Sequence, residues 1–204
     1  LTAANVRAFI ASQGFIGVGG GRFFINGVDT STRGVDVVMN WPVNLGEAGK
    51  IDVTLAGNFT DTEVTKVPVT AALTALSPAP SLFDRINVLS LEQGQPKNKI
   101  NANVNWRLGQ WGATFRATRY GKVLSPGTTA ALDFVMEPQT VVDLEARYAL
   151  TPKLNLAVGA DNVFDEYPAS LPPALNTTGN TSFSNYAPFG RSGRFIYARA
   201  SYSF

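Results

Sequence analysis

Apolar and polar residues alternate one for one along much of this chain. In NKINANVNWRL, Ile100, Ala102, Val104, Trp106 and Leu108 fall on one side. Lys99, Asn101, Asn103, Asn105 and Arg107 fall on the other. A helix would scatter these residues around its circumference, so the spacing predicts a strand with two unlike faces. The same pattern runs through RGVDVVMNW, KIDVTLAGNFTD, WGATFRATRY, TVVDLEARYAL, KLNLAVGAD and GRFIYARASYSF. In TVVDLEARYAL the apolar set is Val142, Leu144, Ala146, Tyr148 and Leu150, opposite Asp143, Glu145 and Arg147. That makes seven strands of about nine to eleven residues, the length a tilted strand needs to cross a bilayer.

The connections add a second pattern. PVNLGEAG, GQ and TP are tight turns, whereas residues 62–96, 121–138 and 163–192 are long and rich in Pro, Ser, Thr, Asn and Gly. Short and long connections alternate, as they do in outer-membrane barrels. The expected fold is therefore an all-β, antiparallel transmembrane barrel, with apolar side chains toward lipid and polar ones toward the lumen. Trp41, Trp106, Trp111, Tyr148, Tyr202 and Phe204 cluster on the apolar face near the short-turn end, where an interfacial aromatic girdle belongs. Asn101, Asn103, Asn105, Arg107, Asp143, Glu145, Arg147 and Arg199 are the expected lumen lining. Alternation alone also fits a soluble β-sandwich binding module, in which the apolar set would fill a core.

Composition narrows the chemistry. Charged residues are 16% of the 204, below the roughly 25% of ordinary soluble domains. The net charge is +2 and the cations are scattered singly, which argues against a nucleic-acid partner. There is no cysteine and no histidine, so thiolate metal sites, Ser-His-Asp triads and HExxH helices are excluded. No cofactor is expected. Asp143 and Glu145 beside Arg147 read as a charged lumen wall rather than a catalytic acid pair. Asp161, Asp165 and Glu166 read as a strand end and turn rather than a Ca²⁺ site. Arg85, Lys97, Lys99, Arg119, Lys122 and Arg191 lie near the long-loop ends, where a cationic rim would meet lipopolysaccharide phosphates or simply solvent. Residues 1–31 read as a loop region with a short helix over AANVRAFIAS, and GVGGGR lacks the third glycine of a dinucleotide fingerprint.

Two stretches carry more than a pattern. LAVGADNVFDEYPA, followed by PFGRSGRFIYARASYSF, resembles the C-terminal end of TonB-dependent outer-membrane receptors. The motif residues are Asn162, Phe164, Asp165 and Tyr167, with Val163 where the family usually has Leu, and then Gly193 and Arg194. The resemblance implies a barrel of about 22 strands around a plug domain, of which this chain supplies seven or eight in residues 32–204. It implies TonB-driven uptake of a siderophore, cobalamin, haem or saccharide, and no enzyme activity. The implied partners are outer-membrane lipid, lipopolysaccharide, the plug, the other barrel strands and, through an N-terminal part not present here, TonB. Nothing in the chain resembles the plug or the TonB box. Ile196, Ala198, Ala200, Tyr202 and Phe204 resemble the signal read by the barrel-assembly machinery. A complete eight-stranded outer-membrane barrel with a structural or adhesive role is the other membrane reading.

Overall fold

The computed structural model describes residues 3–19, 27–68, 83–176 and 182–204, with Thr74, Ser81 and Gly179 between them. Residues 20–22 of GVGGGR lie outside the described residues. Helix α1, Ala3–Ser12, covers the stretch where the short helix is expected.

The strands are β1 Asp29–Asn44, β2 Lys50–Lys66, β3 Asn98–Leu108, β4 Trp111–Tyr120, β5 Val123–Ser125, β6 Phe134–Met136, β7 Gln139–Thr151, β8 Leu154–Asp161 and β9 Phe195–Tyr202. One antiparallel sheet takes them in the order β1-β2-β3-β4-β7-β8-β9, and β5 and β6 form a separate hairpin. Each of the seven alternating stretches is a strand of the large sheet. Among the described residues the sheet is open, with β1 and β9 as its edges. Pro42 sits in edge strand β1 opposite Asp52, where a missing N–H costs the sheet least.

Beyond the alternating stretches, the structure departs from the expected lengths. β1 and β2 are 16 and 17 residues long. The ladder of β2 with β3 ends at Phe59 opposite Asn98; the Thr60 N–H still donates to the Lys97 carbonyl, and beyond it β2 ladders with β1. This projecting ribbon pairs two Thr- and acid-rich runs, and Thr32 and Thr62 hydrogen-bond across it at 3.0 Å.

At the other end the turns are tight. Leu45–Gly49 folds as a 3-10 turn whose Ala48 carbonyl accepts the Trp106 indole N–H at 2.7 Å. Trp111 packs on Tyr148 with ring centroids 4.6 Å apart, and the Tyr148 hydroxyl bonds the Gln110 side chain. Aromatic rings with one polar atom anchored at the turn suit a membrane interface.

The long connections are folded. Helix α2, Arg85–Gln93, is capped by Asp84, whose side chain accepts the Asn87 N–H at 3.0 Å. The deepest side chains of the described residues, Val123 and Met136, both 1% exposed, belong to the β5–β6 hairpin rather than to the sheet. The sheet's apolar face is bare: Val35, Met39, Trp41, Val158 and Ile196 are all more than half exposed. In water such a surface is an association liability; against lipid it is what a barrel exterior requires.

Candidate functional site: the lumenal wall and its outer loops

Register decides which polar residues meet. Asp36, Asn40 and Asp52 face Asn58, Thr54 and Arg107 across β1–β3, through an Asn58-to-Asp36 bond of 2.6 Å, a Thr54-to-Asn40 bond of 2.8 Å and an Arg107–Asp52 ion pair. Asn101 donates to Thr118, and Thr114 donates to Asn105, each at 2.7 Å. Arg116 on β4 lies 3.7 Å from Asp143 on β7. The ladder ends in a cage around Glu145, whose side chain is only 13% exposed. Arg147 lies 3.5 Å from it, Arg199 3.0 Å, and the Tyr197 hydroxyl donates to it at 2.9 Å. The exposed pair Arg107–Asp52 contributes about 0–1 kcal/mol; the main effect of the ladder is to fix side-chain directions along one face.

All eight expected lumen residues lie on this face, and Arg116, Asp161, Tyr197 and Gly159 join them. A cavity of about 360 Å³ opens between Asn103, Arg116, Asp143, Glu145, Arg147 and Arg199. Asn103 Oδ1 is buried there without a hydrogen-bond partner among the described residues. Gly159 is what lets Tyr197 cross from β9 to Glu145 on β7. A Cβ at Gly159 would lie 2.5 Å from the Tyr197 ring and 2.9 Å from the Leu144 carbonyl. Alternation placed Glu145 and Arg199 on one face; only register makes them neighbours.

The end motif is a clamp at the outer end of β7, β8 and β9. Asn162, at positive φ and 7% exposed, donates to the Glu166 carbonyl at 2.7 Å and accepts the Glu166 N–H at 2.9 Å. Its own N–H goes to Asp143. Asp165 accepts the Arg194 N–H at 2.8 Å, and the Arg194 guanidinium reaches the Val163 carbonyl. Tyr167 stacks on Phe183, its carbonyl accepts from Gln139, and Phe164 is exposed. Two segments nearly thirty residues apart are thus pinned together through Asp165 and Arg194, and the Asp165 carboxylate is engaged at this turn.

The rim cations separate by face. Arg85 and Arg191 are engaged within the loops: Arg191 donates to the Ser184 carbonyl and the Asn185 side chain. Lys99 lies on the polar face with its ammonium 5.1 Å from the Tyr120 ring centroid. Lys97 pairs with Asp61, and Arg119, opposite Ile100, takes the apolar face. Lys122 is exposed just past β4. On β9, Ile196, Ala198, Ala200 and Tyr202 take the apolar face, and Phe204 meets Tyr202 edge-on at 5.4 Å.

A fork latches two of the loops. Arg85 at the start of α2 donates to both Asp133 oxygens, at 2.9 and 2.6 Å, and to the Gly127 carbonyl at 2.7 Å. The Gly127 N–H completes the ring by donating to Asp133. The Arg85 hydrogen bond, and then the Gly127 N–H, hold the Asp133 carboxyl down from 3.8 to about 2, and Asp133 raises the Arg85 guanidinium. A depressed carboxyl stabilises the folded loops fully above its ordinary value and loses that effect as pH falls through about 2. Loops 83–97 and 121–138 should therefore resist pepsin at pH 4 and open only toward pH 2. Asp133→Asn should be cut several-fold faster at pH 4 already; equal cutting would show the latch to be idle.

The comparisons agree with this geometry. A family model described as TonB dependent receptor-like, beta-barrel matches residues 4–163, which takes in most of the sheet and stops inside the end motif. No curated protein matches in sequence. Among solved structures, a double mutant of the ferric enterobactin receptor from Pseudomonas aeruginosa aligns over 85% of this chain and 22% of its own, at 17% identity and TM-score 0.55. The ferric yersiniabactin uptake receptor from Yersinia pestis aligns over 88% and 24%, at 16% identity and TM-score 0.55. The pyoverdine outer membrane receptor from Pseudomonas aeruginosa aligns over 87% and 22%, at 16% identity and TM-score 0.53. The chain spans between a fifth and a quarter of the length of these receptors. Its two-faced antiparallel sheet and the family match over most of its length give one conclusion: the chain belongs to the TonB-dependent receptor β-barrel family of the bacterial outer membrane, a family of receptors and transporters rather than enzymes.

Proposed function

We propose that this chain is one sector of a receptor that takes up a scarce nutrient across the outer membrane with energy delivered through TonB. Its lumenal wall faces the plug, its outer loops meet the cargo, and it carries out no catalysis itself. The observation that carries this reading is the pairing of a continuous polar ladder on one face with a bare apolar face edged by aromatics on the other. A soluble sandwich would bury the second face.

The other partners follow the same placement. Arg119, at the outer edge of the apolar side, would meet lipopolysaccharide phosphates. Strand β9, an unpaired edge with its apolar stripe outward, would add to a strand of the assembly machinery. The relatives' names point to ferric siderophores; cobalamin, haem and saccharides belong to the same range of cargo.

The test is uptake of a panel of labelled ferric chelates, corrinoids and oligosaccharides by cells with and without the receptor, each with TonB present or deleted. At least one compound should need both proteins. Receptor-dependent uptake that survives TonB deletion would overturn the reading.

A further inference from the structure

Above the charged ladder, a second basin of about 520 Å³ opens at the outer end of the lumenal face. That volume is typical of small-ligand clefts, roughly 300–1,000 Å³. Asn58 on β2, Lys99 on β3 and Tyr120 on β4 form its floor. The end of α2 with Gln95, and the segment carrying Asn185 and Tyr186, form its walls.

The rings of this basin are fixed in place. The Tyr186 hydroxyl is 2.5 Å from the Ser90 hydroxyl of α2, and Tyr120 stacks on Phe189 at 5.6 Å. Arg191 bonds the Ser184 carbonyl and Asn185 Oδ1, which holds this wall and leaves the Asn185 amide nitrogen as a donor. Preformed aromatic faces of this kind bind ligands without a large ordering cost.

Charge distinguishes the basin from the wall below. It is lined by one cation, Lys99, and by no carboxylate. Among the described residues Lys99 has no ion-pair partner, and the Gln95 amide makes no hydrogen bond. An aliphatic ligand would desolvate the ammonium and the amides without replacing their bonds to water. A polyanionic chelate would bring several charges to a single cation. A flat, hydroxylated ring with one acidic group matches the inventory: a ring face for tyrosine, hydroxyls for the amides and one anion for Lys99.

We propose that this basin is a cargo subsite for an acidic sugar ring, with the sugar carboxylate at Lys99, the ring against Tyr186, and hydroxyls on Gln95 and Asn185. This rests on the uptake reading and makes it specific. The subsite is tested by calorimetric binding to the purified full-length receptor that carries this chain. The probes are a glucuronic-acid disaccharide, the same disaccharide with its carboxylate reduced to an alcohol, and a ferric tris-catecholate. The acidic disaccharide should bind about tenfold tighter than the reduced one, as loss of a charge-assisted bond implies. Lys99→Gln should abolish the difference in affinity between the two disaccharides. Tyr186→Phe, which keeps the ring, should preserve this preference. Equal affinity for the two disaccharides, no binding of either, or Lys99-dependent binding of the ferric catecholate overturns the subsite. TonB-dependent uptake, measured separately, would in those cases still stand or fall on its own.

Discussion

Leu55→Arg weakens the folded receptor by about 2–4 kcal/mol in lipid vesicles, whereas Thr54→Arg, one position away, stays within about 0.5 kcal/mol. Leu55 pairs with Met39 and Ala102 on the bare apolar face, five residues from the nearest turn-end residue of its strand. An arginine there must hold a guanidinium in hydrocarbon or distort the bilayer around it. Thr54 lies between Asn40 and Asn103 on the lumenal face, where a cation finds amide oxygens. Urea titration of the two variants in vesicles measures the difference. Equal losses would mean that the two faces share one environment.

Gly193→Val should disable the clamp that closes the last long loop. Gly193 has φ +68°, and a Cβ there would strike the Tyr167 hydroxyl and the Asp165 carboxylate. The conformation costs a side-chain-bearing residue about 1–2 kcal/mol. Displacing Asp165 also forfeits its charged hydrogen bond from the Arg194 N–H, worth about 1.5–3 kcal/mol. The folded receptor should therefore lose its heat-modifiable gel mobility at a clearly lower temperature. Gly190→Ala is the control in the same loop, because a Cβ there meets nothing within 4 Å. Equal behaviour of the two variants would remove the clamp from the account.

Most of the sheet was legible because strands carry their faces in a period of two. NKINANVNWRL announces both a strand and its sides, and register cannot slip by one without exchanging lipid and lumen. The loops were less legible. The run DRINVLSLEQG held a helix start at Asp84 and a stop at Gly94, but the Pro- and Ser-rich context read as irregular chain. The β5–β6 hairpin has three-residue strands, too short for any alternation to show. The Glu145 cage was half visible. Parity put Glu145, Arg147 and Arg199 on one side, but the approach of Tyr197 depends on the missing side chain at Gly159 and on a pairing 52 residues apart. The rim cations were the least legible, because charge near a loop does not say which face of the wall a side chain takes. Lys99 and Arg119 show this, reaching opposite faces from adjacent strands.

Which face of the sheet meets lipid is directly measurable. This chain contributes no cysteine, so in a full-length receptor with any cysteine outside it replaced, a nitroxide label can be walked singly along residues 100–108 of β3 in vesicles. With the apolar face in lipid and the polar face toward the lumen, oxygen collision maxima fall at Ile100, Ala102, Val104, Trp106 and Leu108, with minima at Asn101, Asn103, Asn105 and Arg107. A profile without a two-residue period, or with the opposite phase, would contradict this orientation.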